Sequence, residues 1–189
     1  MNNIILKEQR LFFTPVYETT IDLQTFNLEH FLSKLEFIPR KFASGLQTTN
    51  FTVLEHNDLD DIFTYLRLLV DEISNIWGID RKLKLTNYWI NLDKKHSYMN
   101  PHYHTEGIIS GVVYLKVPKN CGPIVFERPD IQEHYFEADQ PTEYSFKNFS
   151  VNPKKNTVLL FPSYIKHRVE QNLTDDVDDQ RISLSFNYK

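Results

Sequence analysis

Cysteine is nearly absent: Cys121 is the only one among 189 residues. That excludes an internal disulfide and a cysteine-based zinc knuckle. A surplus of basic charge is also missing. Lysine and arginine number 21 against 25 acids, a formal net charge of −4, so the global cationic footprint of a nucleic-acid binder is not there. No apolar run approaches the ~18 residues of a membrane span. Lys7, Glu8 and Arg10 interrupt the N-terminus where a signal peptide would carry its apolar stretch. These absences lead to the expectation of a soluble, cytoplasmic protein that engages neither membrane nor nucleic acid. The Asn-x-Thr triplets at Asn50 and Asn172 then carry little meaning. Oligomeric state is not legible.

Aromatic residues are plentiful, with 14 Phe and 10 Tyr, in a length that favours one domain with a sizeable core. Asn27 can cap a short helix carrying Phe31, Leu32 and Leu35. A longer helix is expected from Asn57 to about Trp77. Leu59, Ile62, Phe63, Leu66, Leu69, Val70 and Ile73 follow steps of three and four. Asp58, Asp60 and Asp61 crowd its first turn, where the helix dipole favours negative charge, and Gly78 can stop it. From Lys82 the pattern turns to β. "KLKLTNYWINL" alternates, with Leu83, Leu85 and Trp89 on one side and Lys84, Thr86 and Tyr88 on the other. Ile108–Val117, "GPIVFERP", "TEYSFKNFS", "NTVLLFP" and "RISLSFNY" follow as further strands bounded by turn residues or polar loops. The outline is α+β, mainly β: a single domain over 1–189, with a helical flank at 1–80 and an antiparallel sandwich or barrel at 81–189.

The chemistry concentrates in "NPHYHTEG" and "LLFPSYIKH". In an extended stretch, residues i and i+2 point the same way with Cα atoms about 6.6 Å apart, which lets two imidazoles converge on one metal at ~2.0–2.1 Å per bond. His102 and His104 satisfy this, and so does the pair His104 and Glu106. Spacing alone leaves both choices open. His167, at a strand exit after a proline turn, is the candidate third ligand. His30, His56, His96 and His134 lack comparable context and are taken as surface or loop histidines. The acidic stretch Asp175–Asp179 lacks calcium-loop spacing and is taken as a solvated loop.

In order along the chain, "HYHTEGIISGVVYL", "CGPIVFERP", "LLFPSYIKH" and "RISLSFN" resemble the iron(II)/2-oxoglutarate-dependent oxygenases, in particular a bacterial and phage branch with an H-x-H…H…R-x-S pattern. The resemblance is strongest from about Trp89 to Tyr188. It implies a double-stranded β-helix with N-terminal flanking helices. It also implies Fe(II), with 2-oxoglutarate and O2 as cosubstrates, acting on an unidentified prime substrate, a small molecule or a protein side chain. His102 and His167 match the family's two histidine ligands. His104 stands where the wider family has an acid, and the branch does not fix an acid at Glu106, so the resemblance favours His102, His104 and His167 as the metal set.

2-Oxoglutarate also needs a cation for its far carboxylate, and arginine's planar fork suits that task. Arg181 opens the last strand, with Ser183 and Ser185 on its face and Ile182, Leu184 and Phe186 opposite. Tyr114 stands where the family often supplies a further hydroxyl. The bland readings are a surface arginine and a core tyrosine. Trp89, core by default, and Asn91 and Asn100 are further candidate contacts. Two rival functions stay open: a cupin-type metal enzyme without 2-oxoglutarate, and a catalytically inactive β-sandwich binding protein.

Overall fold

The computed structural model describes residues 13–41, 43–52, 55–129, 139–140, 142 and 145–189. His134, expected at the surface, lies outside them. The helix expected from Asn57 is present as a single 3-10 turn at Asn57–Leu59 running into α2 (Asp60–Ile76). Its stripe of Leu59, Ile62, Phe63, Leu66, Val70 and Ile73 is buried. Burying each such side chain contributes about 1.5–3 kcal/mol. The short helix α1 (Leu28–Leu32) begins at Asn27, whose side chain accepts a hydrogen bond from the His30 N–H.

The flank is more than helical. β1 (Tyr17–Thr20), β2 (Ile38–Pro39), β3 (Ala43–Ser44) and β4 (Leu46–Gln47) also come from it. The C-terminal part supplies β5 (Leu85–Asp93), β6 (Tyr98–His102), β7 (Ile109–Lys116), β8 (Ile124–Glu127), β9 (Asn148–Val151), β10 (Thr157–Pro162), β11 (His167–Val169) and β12 (Arg181–Tyr188). One antiparallel sheet has the order β1-β10-β7-β12-β5-β4-β2, the other β3-β6-β11-β8-β9. The flank joins both because its short strands find unpaired edges there. β5 starts at Leu85, but Leu85, Tyr88 and Ile90 all pack on the core and Trp89 faces the other way, because a register shift after Leu85 breaks the expected grouping of Leu85 with Trp89 against Tyr88.

The large sheet is covered on both faces, and period-two alternation sorts its side chains. On β12, Ile182, Leu184, Phe186 and Tyr188 face the α2 core. Arg181, Ser183 and Ser185, on the opposite face, line a cavity, as do Trp89, Asn91 and Asp93 of β5 and Tyr114 of β7. His102, Ile124, His167 and Val169 of the smaller sheet line the same cavity, so it lies between the two sheets. A second apolar cluster, including Val112, Phe126, Leu159 and Phe161, packs beside it. Among the described residues no helix is long and apolar enough to cross a membrane.

Candidate metal centre and its cavity

β6 and β11 are antiparallel partners, and their register sets His102 directly opposite His167. His104 follows β6 and is tethered by its backbone N–H to the Ser163 carbonyl at 2.9 Å. The three imidazoles converge: ring centroids are 4.4 Å apart for His102–His167, 5.1 Å for His104–His167 and 5.3 Å for His102–His104. One ligand nitrogen from each lies within 4.8 Å of the other two.

Each ring spends its Nδ1 on an acceptor. His102 Nδ1 meets the Asn100 carbonyl at 2.8 Å, and His167 Nδ1 the Ile165 carbonyl at 2.9 Å. A carbonyl only accepts, so each Nδ1 carries the proton and each Nε2 keeps its lone pair. His104 Nδ1 lies 2.7 Å from Asn187 Oδ1 and 3.0 Å from Ser110 Oγ. The Asn187 amide is oriented by its own donation to Asn87 Oδ1 at 2.7 Å, and Asn87 Nδ2 in turn donates to Glu106 Oε2 at 3.1 Å. Glu106, the alternative ligand from spacing, is exposed and ends this chain of hydrogen bonds.

Burial holds His104 down to about 4 and His167 down to about 3, and it lowers His102 as well. All three are therefore neutral near pH 7, the state a metal requires of imidazole. Three neutral nitrogens with lone pairs facing one another, each fixed through its other nitrogen, fit a first-row divalent metal such as Fe(II).

The cavity's other end is cationic. Arg181 is buried and donates from Nε and Nη2 to Asp93 Oδ2 at 3.1 and 2.8 Å, and from Nη1 to the Gly122 carbonyl at 2.8 Å. Burial works hardest against its charge, but Asp93, Cys121 and Tyr114 together outweigh burial and the pKa is raised. Asn91 organises the serines: its Nδ2 donates to Ser185 Oγ at 2.9 Å and Ser183 Oγ at 3.3 Å. Because both hydroxyl oxygens accept, their hydrogens are left for another partner. Tyr114, opposite Ser183 in register, is buried, which pushes its phenol well above the ordinary range.

The seven residues picked from sequence thus line one cavity. Trp89 and Asn91 line it too, while Asn100 acts through its carbonyl on His102. Asp175–Asp178 are exposed, Asp179 pairs with Lys116, and His56 is a loop histidine wedged between Phe31 and Phe51. Sequence reasoning missed Asp93, Arg40 and the pair Asn87–Asn187. Asp93 had a signal, since an acid closing an alternating strand on its Asn91 face demands a cation. Arg40, from the link between β2 and β3, had none.

A family model of 2OG-Fe(II) oxygenases matches residues 87–187. No curated protein matches the chain. Solved structures share its fold. A Pseudomonas putida prolyl-4-hydroxylase aligns with TM-score 0.65 and 11% identity, over 92% of this chain and 91% of its own. Viral collagen prolyl hydroxylase from Paramecium Bursaria Chlorella virus-1, in a 2OG complex, gives 0.57 and 16%, over 92% and 94%. HygX from Streptomyces hygroscopicus, with nickel and 2-oxoglutarate bound, gives 0.59 and 14%, over 93% and 82%. At such identities the likeness fixes the fold, the double-stranded β-helix.

Proposed function

Because this chain belongs to the 2OG-Fe(II) oxygenases, we propose that it hydroxylates a prime substrate at a metal held by His102, His104 and His167. Bound Fe(II), with 2-oxoglutarate and O2, supplies the oxidising power, and the cosubstrate leaves as succinate and CO2. The chain's own part is to bind, orient and exclude water. His102, His104 and His167 present Nε2 lone pairs from rings that cannot rotate without losing a hydrogen bond. Arg181 supplies the cation for the far carboxylate of 2-oxoglutarate. Ser183, Ser185 and Tyr114 offer it hydroxyl hydrogens. Val112, Ile124, Phe161 and Val169 give the cavity apolar walls, which strengthens each of these contacts by keeping water out.

The observation that carries this reading is that a three-histidine cluster and an arginine–serine strand face share one cavity. We read 1–189 as one domain, a reading supported by β1 to β4 joining both sheets. The prime substrate is a small molecule or a protein side chain, and the reaction takes place in the cytoplasm.

The test is anaerobic. Fe(II) and then 2-oxoglutarate are added to metal-free protein, and the weak visible charge-transfer band of the chelate is followed, with His167→Ala and Arg181→Ala alongside. The expected result is a band that needs both additions and fails in both variants. Metal binding without a band would move the protein to cupin-type chemistry. No metal binding would leave a binding module.

A further inference from the structure

Arg181 does not stand free to meet a ligand's carboxylate. Two of its nitrogens are committed to Asp93, with the two side chains only 3% and 4% exposed. As a pair, Arg181 and Asp93 sum to zero charge. A carboxylate brought to a neutral buried pair gains little against the hydration it gives up. Asp93 is the only acid among the described residues lining the cavity.

Arg40 changes this balance. It reaches Asp93 from the other side, with Nη1 2.6 Å from Oδ1. That contact is an ion pair without hydrogen-bond alignment, since Oδ1 has no hydrogen-bond partner among the described residues. The guanidinium is held by the Ser44 carbonyl and by Asn91 Oδ1, each at 3.1 Å. Gly45 makes room for it. At φ 126° it adopts a conformation that side chains resist, and a Cβ there would stand 2.7 Å from Asp93 Oδ1 and 2.8 Å from Arg40 Nη1.

We propose that Arg40 is a positioning residue for the cosubstrate: by sharing Asp93, it leaves the Arg181 end of the cavity cationic for the far carboxylate of 2-oxoglutarate. This rests on the oxygenase reading of the site. Two guanidiniums on one carboxylate carry a single positive charge, the amount that one ligand carboxylate neutralises. Arg40 also fixes the Asn91 amide, because donation to Oδ1 turns Nδ2 toward Ser183 and Ser185. It lies outside the stretch 87–187 that matches the family, so the N-terminal flank tunes a site built by the core.

The experiment measures the 2-oxoglutarate dissociation constant of the full chain loaded with Fe(II) under nitrogen, read from the chelate band. It compares wild type with Arg40→Met, Arg40→Lys, Asp93→Asn and the double variant Arg40→Met/Asp93→Asn. Arg40→Met weakens 2-oxoglutarate by about tenfold or more. Arg40→Lys, which keeps the charge, stays close to wild type. The double variant recovers most of the loss, because asparagine no longer cancels Arg181. Fe(II) is kept saturating in every variant, because the Arg40 charge also acts on His102. Wild-type affinity in Arg40→Met overturns the proposal. So does a double variant no better than Arg40→Met, which would make Arg40 a direct ligand contact. If Arg40→Met fails to fold, Asp93→Asn decides: it must bind 2-oxoglutarate at least as tightly as wild type, and weaker binding overturns the proposal. A wild-type protein with no chelate band would instead sink the oxygenase reading, so the two failures are distinct.

Discussion

At the scale of single residues, the proposed metal set includes a neutral imidazole, His104, beside His102 and His167. A neutral imidazole donates less charge to a metal than a carboxylate does. Its basicity and aim then depend on what its other nitrogen touches. Here that partner is Asn187, held in turn by Asn87 and at one remove by Glu106. Asn187→Ala should therefore weaken Co(II) binding by about 10–100-fold. Asn187→Asp, which returns an acceptor and adds charge, should bind at least as tightly as wild type. A titration of metal-free protein through the visible Co(II) bands measures both, and unchanged affinity in the alanine variant would mean that Ser110 and the backbone tether suffice to aim His104. Spacing alone left His102–His104 and His104–Glu106 equal, and only the family resemblance favoured the first. What separates the pairs is the turn after His104, which sends Glu106 to the surface, and a turn's direction is not written in two-residue spacing.

At the scale of elements, legibility followed burial. α2, β5 and β12 were visible as periodic patterns, and β7 and β10 as continuous apolar or β-branched runs, which is what strands covered on both faces become. β6 and β11 were not, although they carry His102 and His167. They are five and three residues long, and their burial follows the cavity rather than a core face. β1 to β4 are only two to four residues long, too short for a pattern to register. The close packing of the central strands gives a sharp prediction at Gly111. A Cβ there would run into the Phe186 ring and stand 2.6 Å from the Leu159 carbonyl oxygen. The ring can shift, but the carbonyl belongs to the neighbouring strand of the ladder. Gly111→Ala should cost about 1–3 kcal/mol as an overpacking change, read from urea denaturation. Adding Phe186→Leu should return only part of the loss, and full recovery would show that the backbone clash is relieved at no cost.

At the scale of the whole molecule, gathering three histidines between two sheets ties stability to pH. Burial lowers His104 to about 4 and His167 to about 3, from 6.5 in the free side chain. In the metal-free protein both stay neutral when folded, while the unfolded chain takes up protons below about 6.5. Between about pH 6.5 and 4 the unfolded state therefore binds more protons, and folding stability falls as pH falls. Above 6.5 both states are neutral and the contribution is flat. The limiting slope is about 1.4 kcal/mol per pH unit for each histidine. Mutual repulsion among the three rings pushes in the same direction, since each charged imidazole would disfavour the next. Urea midpoints of metal-free protein at pH 7.5 and 5.5 test this in a range where exposed carboxylates barely titrate. The wild type should lose stability at the lower pH, and His167→Gln should lose visibly less. Equal losses in the two proteins would place the acid sensitivity outside the histidine cluster. The same arithmetic links the fold to its function. The desolvation that keeps these rings neutral and ready for metal makes the metal-free fold the less stable one in acid, so loading the site should protect the whole chain where the empty site endangers it.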